Sequence, residues 1–551
     1  MSAAGRGDLG LLGRQVRHEL VALRRTPITL ILSIGFPLLF FVLIGALVGN
    51  ETLDARQGVR LAQFLAPGFA SFGVVMATFS FLAFGFAQAR ATGVLKRQNG
   101  TPLPAWALLG GRVGAALVLG LTATALVLGA GVALYDVQLF ARTAPAVLVT
   151  LVVSAAAFSA LGLALAAWLP TPEATLAVTN GIVIPIAFFS DIFLFGGTTP
   201  DWMATIGWLF PLKHLVNVFA DALNPYLAGS GFQLDHLAVI AAWGVAGALV
   251  AAWGLRRERD RVGRVARTAR RPAPAADARP RRTASPSALA LVGGQVRHTI
   301  AVLSRDASSV FFAVVFPVVL VAIIPTVNGG GDVVLSDGQL LGAFFASTMA
   351  VYGAAVTAYV NMPQGLAEAR DRGVLQRLHA APLPAWALLL GRVAGAWAVA
   401  LLTLVAIWAV AGLMYAIPVP PAWAAALLTL LVATTCFAAL GLAVASLVRT
   451  AEAGIGVALG TLLPLCFISD VFVYGADFPA LLDRVSWFFP LRHATNAMTT
   501  AAAQDVVGSG LAWDHLGALA AWTVVGLGVV AWRFSWVTVE PRRRRQGIMA
   551  G

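Results

Sequence analysis

Long apolar runs alternate with short polar connections along all 551 residues. A bilayer core takes about 20 apolar residues per helix. Runs of that kind fall at 27–49, 62–88, 104–133, 144–169, 172–191 and 235–255, and again at 307–326, 340–362, 384–413, 422–448, 451–470 and 514–534. The second set is the first displaced by 280 residues for three spans and by 279 for the other three. Polar landmarks repeat in the same registers. Gln15-Val16-Arg17-His18 returns as Gln295-Val296-Arg297-His298, Ser190-Asp191 as Ser469-Asp470, Phe210-Pro211-Leu212-Lys213-His214 as Phe489-Pro490-Leu491-Arg492-His493, and Asp235-His236 as Asp514-His515. The pattern predicts an all-α polytopic membrane protein of about 12 helices, a tandem duplication of a six-helix unit. An even helix count gives the two repeats the same orientation, about an axis near the membrane normal.

Composition agrees: 59% of residues are hydrophobic, 11% are charged, and mean hydropathy is +0.82. Cys436 and Cys466 lie inside apolar runs and read as small core hydrophobes. The net charge of +13 raises nucleic acid as a partner, but its distribution points to membrane orientation instead. With both termini cytoplasmic, 32 of 38 Lys and Arg fall on the cytoplasmic side; Arg56, Arg60, Arg142, Lys213, Arg484 and Arg492 do not. The expected divisions are a first transmembrane domain at 1–255, a basic linker without apolar period at 256–288, a second domain at 289–538 and a basic tail at 539–551. The linker reads as disordered and close to anionic lipid. The opening residues lack the pattern of a cleavable signal.

The connection between the second and third spans is the most repetitive stretch. Gly93–Val113 and Gly373–Val393 agree at 15 of 21 positions, through "GVL-x-R" and "PLPAWALL". Arg90–Gln98 can form a short helix with Val94 and Leu95 on one side and Lys96 and Arg97 flanking. Pro102 and Pro104 stop it before the third span. Trp106 suits the interface, and Arg112 is expected to snorkel back to the cytoplasmic surface. The stretch reads either as plain positive-inside punctuation or as a docking element for a cytoplasmic partner.

The six-helix unit resembles the permease domain of ABC-2 type transporters, in particular the drug-exporter branch that includes daunorubicin and polyketide-antibiotic resistance permeases. The residues that carry the resemblance are the basic amphipathic segments Arg14–Arg25 and Arg297–Arg305 before each repeat, the "G-V-L-x-R…P-L-P…G-R" stretches, and the apolar external segments ending in "FPL[KR]H". The resemblance covers nearly the whole chain apart from the linker. It implies a type V exporter-like channel of two ABC-2 repeats in the cell inner membrane, engaged in multidrug efflux and antibiotic resistance. It also implies that the short basic helices sit in clefts on a pair of ATPase subunits. The expected coupling residues are Arg90, Val94, Leu95, Lys96 and Arg97 in the first half, and Glu368, Arg370, Val374, Leu375 and Arg377 in the second. Gln88 stands where the second half has Glu368, so the two halves differ at this turn.

No G-x-x-x-x-G-K-[ST] loop occurs. The chain is therefore expected not to be an enzyme and to bind no cofactor or metal itself. ATP and Mg belong to two copies of a separate P-loop ATPase, and no second permease chain should be needed. The other expected partners are membrane lipid and a hydrophobic small molecule; nucleic acid is not one. By resemblance, helices 2 and 5 border a substrate cavity, with Phe72, Phe79, Asn180, Phe188, Phe345, Met349, Tyr352 and Phe467 as candidate lining; such aromatic stripes serve equally well as helix packing. Asp191, His214, Asp470 and His493 are candidates for an outer gate. The aspartates can form a ring of charge at the exit or cap the segment that follows, with Lys213, His214, Arg492 and His493 as possible partners. Glu173 and Glu452, after Thr171 and Thr450, fit helix starts.

Three other classes compete. Export of lipid or glycan precursors remains open within the ABC class. A major-facilitator transporter shares the two parallel halves, but it requires an acidic-Gly-Arg signature in the 2–3 connection and does not explain the amphipathic segments. A membrane enzyme lacks any consistent set of catalytic side chains.

Overall fold

The computed structural model describes residues 3–23, 30–50, 52–53, 58–193, 200–268, 288–303, 306–371, 373–374, 377, 385–448, 450–474, 478–504, 506 and 508–533. Among them, ten helices are long and apolar enough to cross a membrane, and two shorter apolar helices stand at the remaining expected positions, Ser33–Leu47 and Ala453–Ile468. The protein is an all-α polytopic membrane protein. Extended pairing among the described residues amounts to Thr52–Arg60, Leu53–Val59 and one bridge between Val334 and Leu340.

Each half opens with an amphipathic helix, Ala3–Leu23 or Ala288–Leu303, lying against the third span, Ala105–Tyr135 or Ala385–Tyr415. The close approach is set at Gly111, where an added Cβ would come 2.6 Å from Gln15 Cβ; Gly391 meets Gln295 in the same way. The second spans, Leu61–Ala91 and Leu341–Arg370, are the most enclosed helices of the two halves. In each, six residues widen into a π-helical turn, Met76–Phe81 and Val356–Asn361. The first spans carry π-helical turns too, at Ile31–Gly35 and Phe311–Val315. A wide turn leaves carbonyls without their usual partners. Thr403 of the third span donates to Ala313 O at 3.2 Å, and Thr357 to Gly353 O at 2.7 Å.

The halves are interlocked rather than side by side. Phe188, Ile184 and Ala177 of the first fifth span (Pro172–Phe189) are buried in the core of the second half. Phe467, from the second fifth span (Ala451–Ile468), is buried in the core of the first. Both fifth spans start as the sequence suggests, with Thr171 Oγ1 accepting from Ala174 N at 3.1 Å and Thr450 Oγ1 from Ala453 N at 3.2 Å.

Two boundaries differ from expectation. The second span of the second half continues eight residues past 362, to Arg370, because Met362, Leu366 and Ala367 keep a buried stripe on the helix. The sixth span of the first half, Leu234–Thr268, runs on through Arg256 into the expected disordered linker. The sequence has no proline between Leu234 and Pro272 and places acids and bases three or four apart, as in Glu258–Arg261 and Asp260–Arg264, a spacing that supports helix. Residues 269–287 of that linker and the basic tail at 539–551 lie outside the described residues.

Candidate functional site

The basic connection is two helices rather than one. The second span extends to Ala91, and Thr92 N and Oγ1 close it on Gln88 O at 2.9 and 2.8 Å. Gly93 then turns the chain at φ +71, a left-handed conformation that other residues reach only with strain. A short helix, Val94–Asn99, follows, and Pro104 precedes the third span in an extended conformation. Leu95 packs against the cluster of Leu82, Phe86 and Ala116, while Lys96 and Arg97 are exposed. Arg90 is placed differently from its four neighbours in the expected set. Its guanidinium donates to the carbonyls of Ala166, at 2.8 Å, and Leu169, closing the end of the fourth span (Ala144–Trp168).

The second half repeats this plan where it is described. Gly373 has φ +66, and Arg370 donates to Val448 O at 3.1 Å, at the end of its fourth span (Trp423–Leu447). Glu368 accepts from Gln364 at 3.1 Å. Val374 is half-buried and Arg377 exposed; Leu375 lies outside the described residues.

Arg112 corrects the expectation most clearly. It does not snorkel: it is 8% exposed, with Nε 3.3 Å from Glu19 Oε1 on the amphipathic helix and Nη2 3.2 Å from Gln98 Oε1 on the short helix. Its guanidinium also lies over the Phe86 ring, 5.6 Å from the centroid. A buried guanidinium is costly without a counter-charge, and Glu19 supplies one here. Sequence reasoning missed it because Glu19 lies 93 residues away.

The eight residues expected to line a cavity are all buried in packing, from Met349 at 0% to Phe188 at 6% exposure. The seam is closed by aromatic contacts. Phe40 meets Phe467 edge-on at 4.1 Å, Phe467 meets Phe472 at 5.4 Å, and Phe472 meets Tyr352 at 5.5 Å. On the other side, Phe193 sits 5.3 Å from Phe72 and 5.0 Å from Phe188. Open space flanks the seam instead. A cleft of about 350 Å³ between the first fifth span and the second half's first span is lined by Ala177, Val178, Ala307, Val310, Phe311 and Val315. Its counterpart of about 200 Å³ includes Ile31, Phe36, Leu459 and Pro464.

At the opposite end from the basic connection, the two gate aspartates are neutralised. Lys213 Nζ contacts Asp191 Oδ2, and Arg492 lies 3.3 Å from Asp470 and 3.6 Å from Asp483. Burial pushes the Asp470 carboxyl above its usual range; Arg492 opposes the rise and Asp483 adds to it. Both aspartates end a fifth span in a left-handed conformation, φ 61 and 56. The next amides reach back to Ala187 O at 3.0 Å and Cys466 O at 3.1 Å, a helix stop at which glycine is the usual residue. The gate histidines have other partners. His214 Nδ1 faces His236 Nδ1, and His493 Nδ1 faces His515 Nδ1, each with Nε2 on the carbonyl of a tryptophan. The recurrent Asp235-His236 and Asp514-His515 pairs were the signal for this, 22 residues after each "FPL[KR]H" histidine.

Known proteins agree with this architecture. Residues 13–224 match the family described as ABC-2 type transporter, and residues 334–532 match the family described as ABC-2 family transporter protein. The inner membrane transport permease YadH of Escherichia coli strain K12 is 24% identical over 181 residues, which span 33% of this chain and 70% of that protein. The YadH permease of Shigella flexneri matches to the same extent. The chain thus carries two ABC-2 transporter permease domains in tandem, the membrane-spanning component of a system whose ATP is handled by a separate subunit.

Proposed function

We propose that this chain is the complete translocation pathway of an ATP-binding-cassette exporter, with hydrophobic or amphipathic drugs or antibiotics as cargo. Both termini and both basic connections face the cytoplasm. Two copies of a P-loop ATPase dock there, one under Val94–Asn99 with exposed Lys96 and Arg97, the other under the turn that carries Val374 and Arg377. The observation that carries this reading is the repeated break at Gly93 and Gly373, which hangs a short basic element from the most buried span of each half. Motion imposed at that element passes directly into the helices that pack at the seam. Closure of the ATPases then parts the Phe40–Phe467–Phe472 and Phe72–Phe193–Phe188 contacts, and an apolar cargo enters from the flanking clefts. The aromatic lining suits large, variable ligands better than small polar ones.

Affinity capture of the chain from detergent-solubilised native membranes, with subunit masses measured, tests this reading. The expected result is two ATPase copies per permease chain, with ATP hydrolysis stimulated by apolar drugs. Recovery of the chain alone, active in proton-driven transport without ATP, would overturn it.

A further inference from the structure

The two halves differ at the point where the short basic helix is attached. In the first half, Arg112 touches two elements that do not follow each other in the chain: Glu19 of the amphipathic helix at 3.3 Å and Gln98 of the short helix at 3.2 Å. The Arg112 and Glu19 side chains are 9% and 22% exposed, so water screens the pair weakly. Guanidinium geometry suits this double duty, because its donors fan out in one rigid plane. In the second half, Arg392 stands in the register of Arg112, but Thr299 takes the place of Glu19 and Leu378 that of Gln98. Neither residue accepts a charged hydrogen bond as a carboxylate does. Thr299 instead packs against the third span, where a Cβ at Gly395 would come 2.6 Å from Thr299 Cγ2. Arg392 Nε is buried without a hydrogen-bond partner, as is Arg112 Nη1; the difference is that Arg112 pairs with Glu19, whereas no ion pair to Arg392 is found among the described residues.

We propose that Arg112 is a positioning residue that clamps the Val94–Asn99 helix to the amphipathic helix, and that the lack of this clamp in the second half makes the two ATPase contacts transmit unequally. The inference rests on the docking role given to these helices above. In the first half, displacement of the short helix carries the amphipathic helix and third span with it. In the second, Arg392 makes no such ion pair among the described residues. Each side binds an ATPase; only the first is geared to the membrane surface through a buried charge pair.

The clamp and the docking role are separable by experiment. The first arm uses the full chain in lipid nanodiscs without any ATPase and measures hydrogen–deuterium exchange of the 94–99 amides. Glu19→Gln is expected to speed exchange about tenfold, and Arg112→Lys, which can still pair with Glu19, to speed it only two- to threefold. Unchanged exchange in Glu19→Gln overturns the clamp. The second arm uses the assembled complex. Glu19→Gln is expected to lower maximal drug-stimulated ATP turnover three- to tenfold at unchanged KM for ATP, with Arg112→Lys intermediate. Building a carboxylate and amide into the second half, Thr299→Glu with Leu378→Gln, should raise turnover above wild type. Faster exchange with unaltered turnover in all variants would overturn the positioning role. A wild-type chain that captures no ATPase overturns the docking role instead, while the exchange arm still decides the clamp.

Discussion

Nδ1 of His214 and Nδ1 of His236 lie 2.8 Å apart, joining the helix Pro211–Ala222 to the first turn of the sixth span. His214 Nε2 is 2.9 Å from Trp208 O, and a carbonyl can only accept, so His214 Nε2 carries the hydrogen and its Nδ1 is the acceptor. His236 Nδ1 must therefore be the donor. The Trp208 ring, stacked on His236 at 5.7 Å, holds that orientation. The second half repeats the arrangement through His493, His515 and Trp487.

Replacing His236 by Phe keeps the stack and removes the donor. His214 is buried, so its unpaired Nδ1 should cost about 1–3 kcal/mol, seen as a lower thermal midpoint of the purified chain in detergent.

Asp191→Gly gives the left-handed position its preferred residue yet should still destabilise. Lys213 is 4% exposed and loses its carboxylate, a loss worth about 3–5 kcal/mol for a buried pair, against roughly 1–2 kcal/mol of backbone relief. Adding Lys213→Met should restore most of the loss. A double-mutant cycle of thermal midpoints measures this, and additive effects would refute the pairing.

Gly93→Ala tests the break before the short helix. At φ +71 an alanine costs about 1–2 kcal/mol, and extending the second span avoids that cost. The expected outcome is unchanged membrane insertion with at least fivefold weaker ATPase capture.

Phe467→Ala removes a ring that is 1% exposed and lies between Phe40 and Phe472. It should destabilise by about 3–5 kcal/mol or less if the seam collapses, and raise ATP hydrolysis in the absence of drug, since the closed seam is what the mutation weakens.

Much of the fold was legible because span length and the 280-residue repeat are local in sequence. Pro104, whose backbone geometry follows from the residue itself, could be read in the same way, but the left-handed break at Gly93 was not legible: Arg90–Gln98 read as one short helix. Arg112 and the histidine pairs were not, since their partners come from elements brought together only by packing. The aromatic residues of helices 2 and 5 were found, but their burial across the seam depends on how the halves interlock, which no periodicity encodes. The π-helical turns left no signal either: Met76–Phe81 and Val356–Asn361 read as ordinary apolar helix.

Those turns nevertheless recur at a constant spacing, as do Asp191 and Asp470 with their cations, so they date from the single gene that was doubled. A pair of identical chains has to carry every substitution twice, on both sides of its symmetry axis. Once fused, the copies were free to drift apart. Glu19 beside Thr299 is a trace of that freedom, a division of labour that two products of one unfused gene could never have acquired.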